Sequence, residues 1–164
     1  MDPEVMRSNE LAAGALEALL SPYGLQLQWL DAGTPIPGSY WGETEAGLVG
    51  DRLYLRPDTP VHSALHEACH YICVDASRRA TLHTDANGCD TEEMGVCYLQ
   101  ALLAEQLRGY SRARLFADMD AWGYNFVLGS AAAWFEGDSA DALAFLQQYG
   151  LVASTGRPGG RCRA

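Results

Sequence analysis

The chain has 164 residues, 48% of them hydrophobic and 20% charged, the balance of a globular protein with one core rather than of a disordered segment. All 11 basic residues are arginine, set against 21 acidic ones for a net charge of -10. The lack of lysine excludes P-loop, Schiff-base and Ser-Lys chemistry, and the acidic surplus argues against a face that binds nucleic-acid phosphates.

Residues 8–20 carry a helical apolar stripe (Leu11, Ala12, Ala15, Leu16, Leu19, Leu20) behind Ser8 as N-cap, ended by Ser21-Pro22-Tyr23-Gly24. Leu25, Leu27 and Trp29 alternate with Gln26 and Gln28, which predicts a strand with one buried face. Residues 31–47 read as a long loop containing Tyr40 and Trp41, and 48–56 as a short hairpin about Gly50-Asp51. Thr59-Pro60 predicts a helix start, with the helix running over 60–75 and burying Val61, Leu65, Ala68 and Ile72. A polar segment, 76–90, leads to a helix over 91–108 that carries Val96, Leu99, Leu102 and Leu103, and further helices are expected at 111–122 and 138–149. Between these last two lies an aromatic-rich stretch (Trp122, Tyr124, Phe126, Trp134, Phe135) that reads as core. The pattern predicts one domain over 1–153 of α+β class, mostly helical, and a disordered Gly/Arg/Pro-rich tail over 154–164.

Three arginines (Arg157, Arg161, Arg163) fall in that tail, so the remainder is more acidic still and favours neutral or cationic partners, or a metal. The opening Met1-Asp2-Pro3-Glu4 lacks a signal-peptide pattern, and no apolar run approaches the ~18 residues of a membrane span. A cytoplasmic protein of bacterial type, with no membrane partner, is expected. The five cysteines (69, 73, 89, 97, 162) are odd in number and lack framework spacing, which suits reduced thiols.

One motif carries chemistry. His66-Glu67-Ala68-Cys69-His70 reads H-E-x-x-H, and it falls in the middle of the helix predicted over 60–75. Histidines four apart on a helix project from one face and can share a Zn2+ ion. Glu67, about a third of a turn from His66, flanks such a metal and can take the proton of a bound water without being a ligand. A catalytic zinc needs a third protein ligand and an open position. The metzincin extension would require Gly at 73 and His at 76, where the chain has Cys73 and Ala76. The second helix offers a carboxylate in Asp90-Thr91-Glu92-Glu93-Met94-Gly95-Val96.

From Thr59 to Leu103 the chain therefore resembles zincin-like metallopeptidases of the Glu-ligand (gluzincin) type. Their second motif is a helical Glu followed three residues later by a small apolar residue; Glu93 with Val96 matches it, and Glu92 with Gly95 less closely. The resemblance implies a short sheet beside the H-E-x-x-H helix, Zn2+ held by His66, His70 and Glu93 (alternative Glu92), Glu67 as catalytic base, and a peptide or protein substrate. Size and spacing are also similar to the compact ImmA/IrrE-like metallopeptidases, but their Ala-Asn-x-Phe-Ala run is absent, so their substrates are not carried over.

The two glutamates compete on physical grounds. With Asp90 as N-cap, Glu93 would close a capping box and leave Glu92 as the ligand. Against this, Glu92 lies nearer the apolar face of Val96, Leu99 and Leu103, whereas Glu93 shares a polar side with Cys97 and Gln100. His83, Asp85 and Asp90 are further candidates for the third ligand. Tyr98, Tyr110, Arg112 and Tyr124 are candidates to assist at a substrate carbonyl, and His62 reads as a helix-surface residue. Cys69 and Cys73 read as packing residues, and the acids at 118, 120, 136, 138 and 141 as a solvated face. The alternative to an enzyme is a zinc-binding or interaction domain without turnover, because an extended peptide needs a sheet edge and only the strand at 48–56 offers one.

Overall fold

The computed structural model describes residues 4–39, 44–83, 89–126 and 128–164. The alternating segment forms β1 (Gln26–Trp29), and the expected hairpin forms β2 (Gly47–Val49) and β3 (Arg52–Leu55). β3 is central in the order β1-β3-β2, parallel to β1 and antiparallel to β2. Its inward residues, Leu53 and Leu55, are fully buried, but Trp29 at the far end of β1 is exposed. Among the described residues, seven helices complete the architecture: α1 (Ala15–Leu20), α2 (Val61–Cys73), α3 (Ala76–Arg79), α4 (Asp90–Gln106), α5 (Arg112–Trp122), α6 (Ala131–Gly137) and α7 (Ala140–Gln148). The class is α+β, and none of the described helices is long and apolar enough to cross a membrane.

α2 is the centre of the packing, with β2 and β3 on one side and α4 and α5 against it elsewhere. Val61, Leu65, Ala68 and Ile72 are fully buried as their spacing predicts. Burial goes further than one face: every residue of α2 is buried except His66 and Glu67. Its start differs from expectation. Pro60, with ψ 140, takes the N-cap position, and the Thr59 hydroxyl instead accepts from the Arg56 amide at 2.9 Å. The amide of Val61 is satisfied by the Met6 carbonyl at 2.9 Å, so backbone from the N-terminal segment substitutes for a side-chain cap.

That same segment alters the first predicted helix. Ser8 is no N-cap: its amide and hydroxyl both donate to the Thr59 carbonyl, at 2.8 and 2.7 Å. A short 3-10 turn (Ser8–Glu10) results, and α1 begins only after Gly14, whose φ of 82 interrupts the helical path. α3 and α6 arise where the sequence predicts a polar segment and an aromatic stretch. Local caps explain both, with Asp75 accepting from the Arg78 amide and Ser130 from the Ala133 amide.

Residues 154–164 are not the disordered tail that their composition predicts. The Arg163 amide donates to the Ile72 carbonyl at 2.9 Å, its guanidinium donates to the Cys73 carbonyl at 3.2 Å, and Arg79 donates to the Arg163 carbonyl. The Arg163 guanidinium also lies 3.7 Å from the centroid of the Tyr149 ring. The cost of ordering a Gly-rich strand is offset by bonds to the carbonyls at the end of α2, which have no helical partners.

α4 packs between α2 and α7. Gly95 permits the second contact, since a Cβ there would lie 2.6 Å from Cδ1 of Phe145. Gly95→Ala is therefore expected to lower stability by about 1–2 kcal/mol, despite the better helix propensity of alanine. Urea unfolding measures this, and an increase in stability would mean that the Phe145 ring turns aside without cost.

Candidate metal centre

Two helices build the site. α2 supplies His66 and His70 one turn apart, and α4, packed across it, supplies Glu93. One ligand atom from each of the three residues lies within 4.8 Å of the other two, so the group can hold a metal ion. The imidazole Nε2 atoms of His66 and His70 are 3.2 Å apart, and Glu93 Oε1 is 3.3 Å from His70 Nε2. His70 is enclosed while the Glu93 side chain is 41% exposed, so the cluster opens to solvent on the α4 side.

Charge pairing separates the two glutamates. Glu92 points inward and is 2% exposed. Its carboxylate receives Arg78 through both terminal guanidinium nitrogens, at 3.1 and 2.5 Å, and Arg163 at 3.2 Å. A carboxylate buried between two arginines is committed to them. The capping-box route that would free Glu92 is also absent, because Cys89 rather than Asp90 is the N-cap and no side-chain cap bond forms. His83 is exposed and pairs with Val49 at the sheet edge, Asp90 is exposed at the start of α4, and neither belongs to the three-residue group. Asp85, like Tyr40 and Trp41, lies outside the described residues.

Burial sets the protonation of the histidines. Desolvation, reinforced by the neighbouring His66, pushes His70 and His62 down to about 3, and burial also lowers His66. All three are therefore neutral at pH 7, the form in which imidazole ligates. His66 Nδ1 lies 3.0 Å from Gln100 Oε1, and Gln100 Nε2 donates to the His62 carbonyl at 2.8 Å. His62 is fully buried rather than on the helix surface, with Nδ1 3.2 Å from the Tyr124 hydroxyl and its ring against Trp122. Neither His62 Nε2 nor His70 Nδ1 has a hydrogen-bond partner among the described residues.

Tyr124 is the member of the predicted assisting set that reaches the site. Its ring centroid is 5.7 Å from that of His66, and the charge of Glu67 acts on its hydroxyl, which burial holds well above the usual tyrosine range. Tyr98 instead stacks on Phe135, Arg112 lies over the same ring, and Tyr110 donates to Asp118 at 2.8 Å. Asp118 is thus a buried hydrogen-bonding hub and not part of a solvated acidic face. Gln100 is visible in sequence only as a polar neighbour of Glu93. The signal for its role is the spacing of seven residues, two helical turns, which returns it to the Glu93 side of α4.

Cys69, Cys73, Cys97 and Cys162 are free and at least half-buried, and Cys89 is free and exposed. Desolvation raises the Cys69 and Cys73 thiols and pushes Cys97 to about 12, so without a metal these three are protonated packing groups, and none belongs to the three-residue group. Comparison of the chain with family models, with curated proteins and with solved structures finds no match.

Two measurements test the site. Glu92→Ala should cost about 2–3 kcal/mol of unfolding free energy, because it leaves two arginines without their shared carboxylate, while metal affinity falls only modestly, through loss of a helix anchor rather than of a ligand. Glu93→Ala should do the reverse, and equal metal affinity in both variants would reject the Glu93 assignment.

Acid titration supplies the second. The folded pKa of His62 and His70 is depressed below the unfolded value of about 6.5, so their stabilising contribution is present above that pH. It is lost as pH falls from there towards 3, at up to about 1.4 kcal/mol per pH unit for each histidine. Chelator-treated protein should therefore unfold more easily at pH 5 than at pH 7, and His62→Leu should flatten that slope; an unchanged slope would exclude His62 as a contributor.

Proposed function

We propose that the chain is a zinc metallohydrolase of the H-E-x-x-H type, acting on peptide bonds with Glu67 as general base. The observation that carries this reading is the convergence of His66, His70 and Glu93 beside His66-Glu67, the one stretch of α2 that is not buried. Two neutral imidazoles and one carboxylate form the donor set of a catalytic zinc site with room for a further ligand, and no cysteine belongs to the group among the described residues. When bound, zinc would polarise a substrate carbonyl and lower the pKa of its water towards ~7.

The remaining work falls to the chain. His66, His70 and Glu93 would hold the ion. Glu67 is half-buried beside His66 and rotated away from the ligand face, so it accepts the proton of the attacking water and then delivers it to the leaving amine. Tyr124 and Gln100 form the inner wall, and solvent enters past Glu93.

A second reading, metal binding without peptide turnover, is favoured by one observation. The β2 edge, which an extended peptide would use, is already bridged by Ser39 at Gly47 and by His83 at Val49. The two readings part on one experiment. Protein purified without added metal should contain about one zinc per chain, and Glu67→Gln should retain that zinc while losing cleavage of a mixed peptide library. Zinc retention with no cleavage by the wild type would select the second reading. A metal content near zero, with folding indifferent to chelator, would remove both.

A further inference from the structure

We infer that Gln100 is a positioning residue that fixes which nitrogen of His66 faces the metal, and that it takes its own orientation from a backbone carbonyl of the metal-binding helix. The inference rests on the metal reading of this site and deepens it.

A neutral imidazole carries one proton on either of two nitrogens, and only the bare one can ligate. Gln100 is fully buried, so its amide cannot trade partners with bulk water. A backbone carbonyl only accepts, so at 2.8 Å from the His62 oxygen the Gln100 amide must present its NH2 group. Turning the amide over would set two acceptor oxygens against each other in the interior, a clash that no tautomer of His66 relieves. Oε1 is thereby directed to His66 Nδ1 at 3.0 Å, and since it can only accept, Nδ1 carries the proton. The lone pair of His66 then sits on Nε2, the atom that faces His70 Nε2.

Tyr124 closes the arrangement. Its hydroxyl is hydrogen-bonded to Gln100 and lies 3.2 Å from His62 Nδ1, so the second amide proton of Gln100 and the hydroxyl proton of Tyr124 both have acceptors. The reference point is His62, one turn before His66 on the same helix. A single helix, α4, therefore brings both a carboxylate to His70 and an acceptor to His66, two turns apart. A glutamine at a fully buried position is costly unless its polar atoms are used, and here they are used on the site.

The test reads the tautomer directly in metal-free protein, by long-range proton–nitrogen correlation spectra of histidine-labelled chain, alongside zinc affinity by competition with a chromophoric chelator. The wild type should show His66 as the Nδ1–H form. Gln100→Leu should shift His66 towards the Nε2–H form and weaken zinc binding ~10–100-fold, the range for loss of a partner behind a ligand. Gln100→Glu, which as the neutral acid favoured by burial donates its proton to the His62 carbonyl and keeps an acceptor facing Nδ1, should retain the wild-type tautomer and most of the affinity, a rescue that mere filling of space would not give. A wild-type spectrum with the proton on Nε2 overturns the inference without any variant. So does a folded Gln100→Leu with unchanged tautomer and zinc affinity within about twofold of wild type, far short of the expected loss. A wild type that binds no zinc, yet loses the Nδ1–H form in Gln100→Leu, removes the metal reading while supporting the orientation of His66 by Gln100.

Discussion

The burial of the Glu92 carboxylate between Arg78 and Arg163 is the constraint on which the site depends. Adjacent residues on a helix point about 100° apart, so fixing one fixes the other. With Glu92 turned into the protein, Glu93 faces the histidines of α2, and Gln100 follows it two turns later. Arginine suits this task because its planar fork meets a carboxylate through two nitrogens at once. One partner comes from α3 and the other from the penultimate stretch of the chain, so a segment far from the motif in sequence sets the rotation of the ligand helix.

The second requirement is a dry, almost fully enclosed α2. Enclosure by the sheet and the helices around it keeps His62, His66 and His70 neutral, which suits them to bind a cation. The same enclosure would leave polar rings unsatisfied if nothing answered them. Gln100 and Tyr124 answer His66 and His62, and the Nδ1 of His70 is the ring atom of the motif left without a partner among the described residues. Solvent is admitted at His66 and Glu67 alone within the helix, so α2 meets water at one opening.

Charge and thiol content take on a more specific meaning in this setting. Of the acidic residues that dominate the composition, Glu92 and Asp118 are structural anchors inside the fold, paired with arginines, while Glu93 and Glu67 face the opening. The cysteines on α2 stand outside the three-residue group. Their burial holds them as thiols, and they pack as small apolar groups behind the histidines.

Local pattern was enough to read the H-E-x-x-H helix, its buried stripe, the hairpin and the second long helix, because helical spacing and turn chemistry are properties of neighbouring residues. It was not enough for the helix starts at Ser8 and Thr59, where the Thr59 carbonyl takes both donors of Ser8 and the Met6 carbonyl satisfies the first amide of α2. Nor did composition reveal that the Gly- and Arg-rich end is docked, since its partners are carbonyls at the end of α2. The sequence by itself determined that two histidines share one helical face with a glutamate beside it. Tertiary structure alone decided that Glu93 and not Glu92 completes the group, because that choice rests on which carboxylate meets two arginines brought in from elsewhere in the chain.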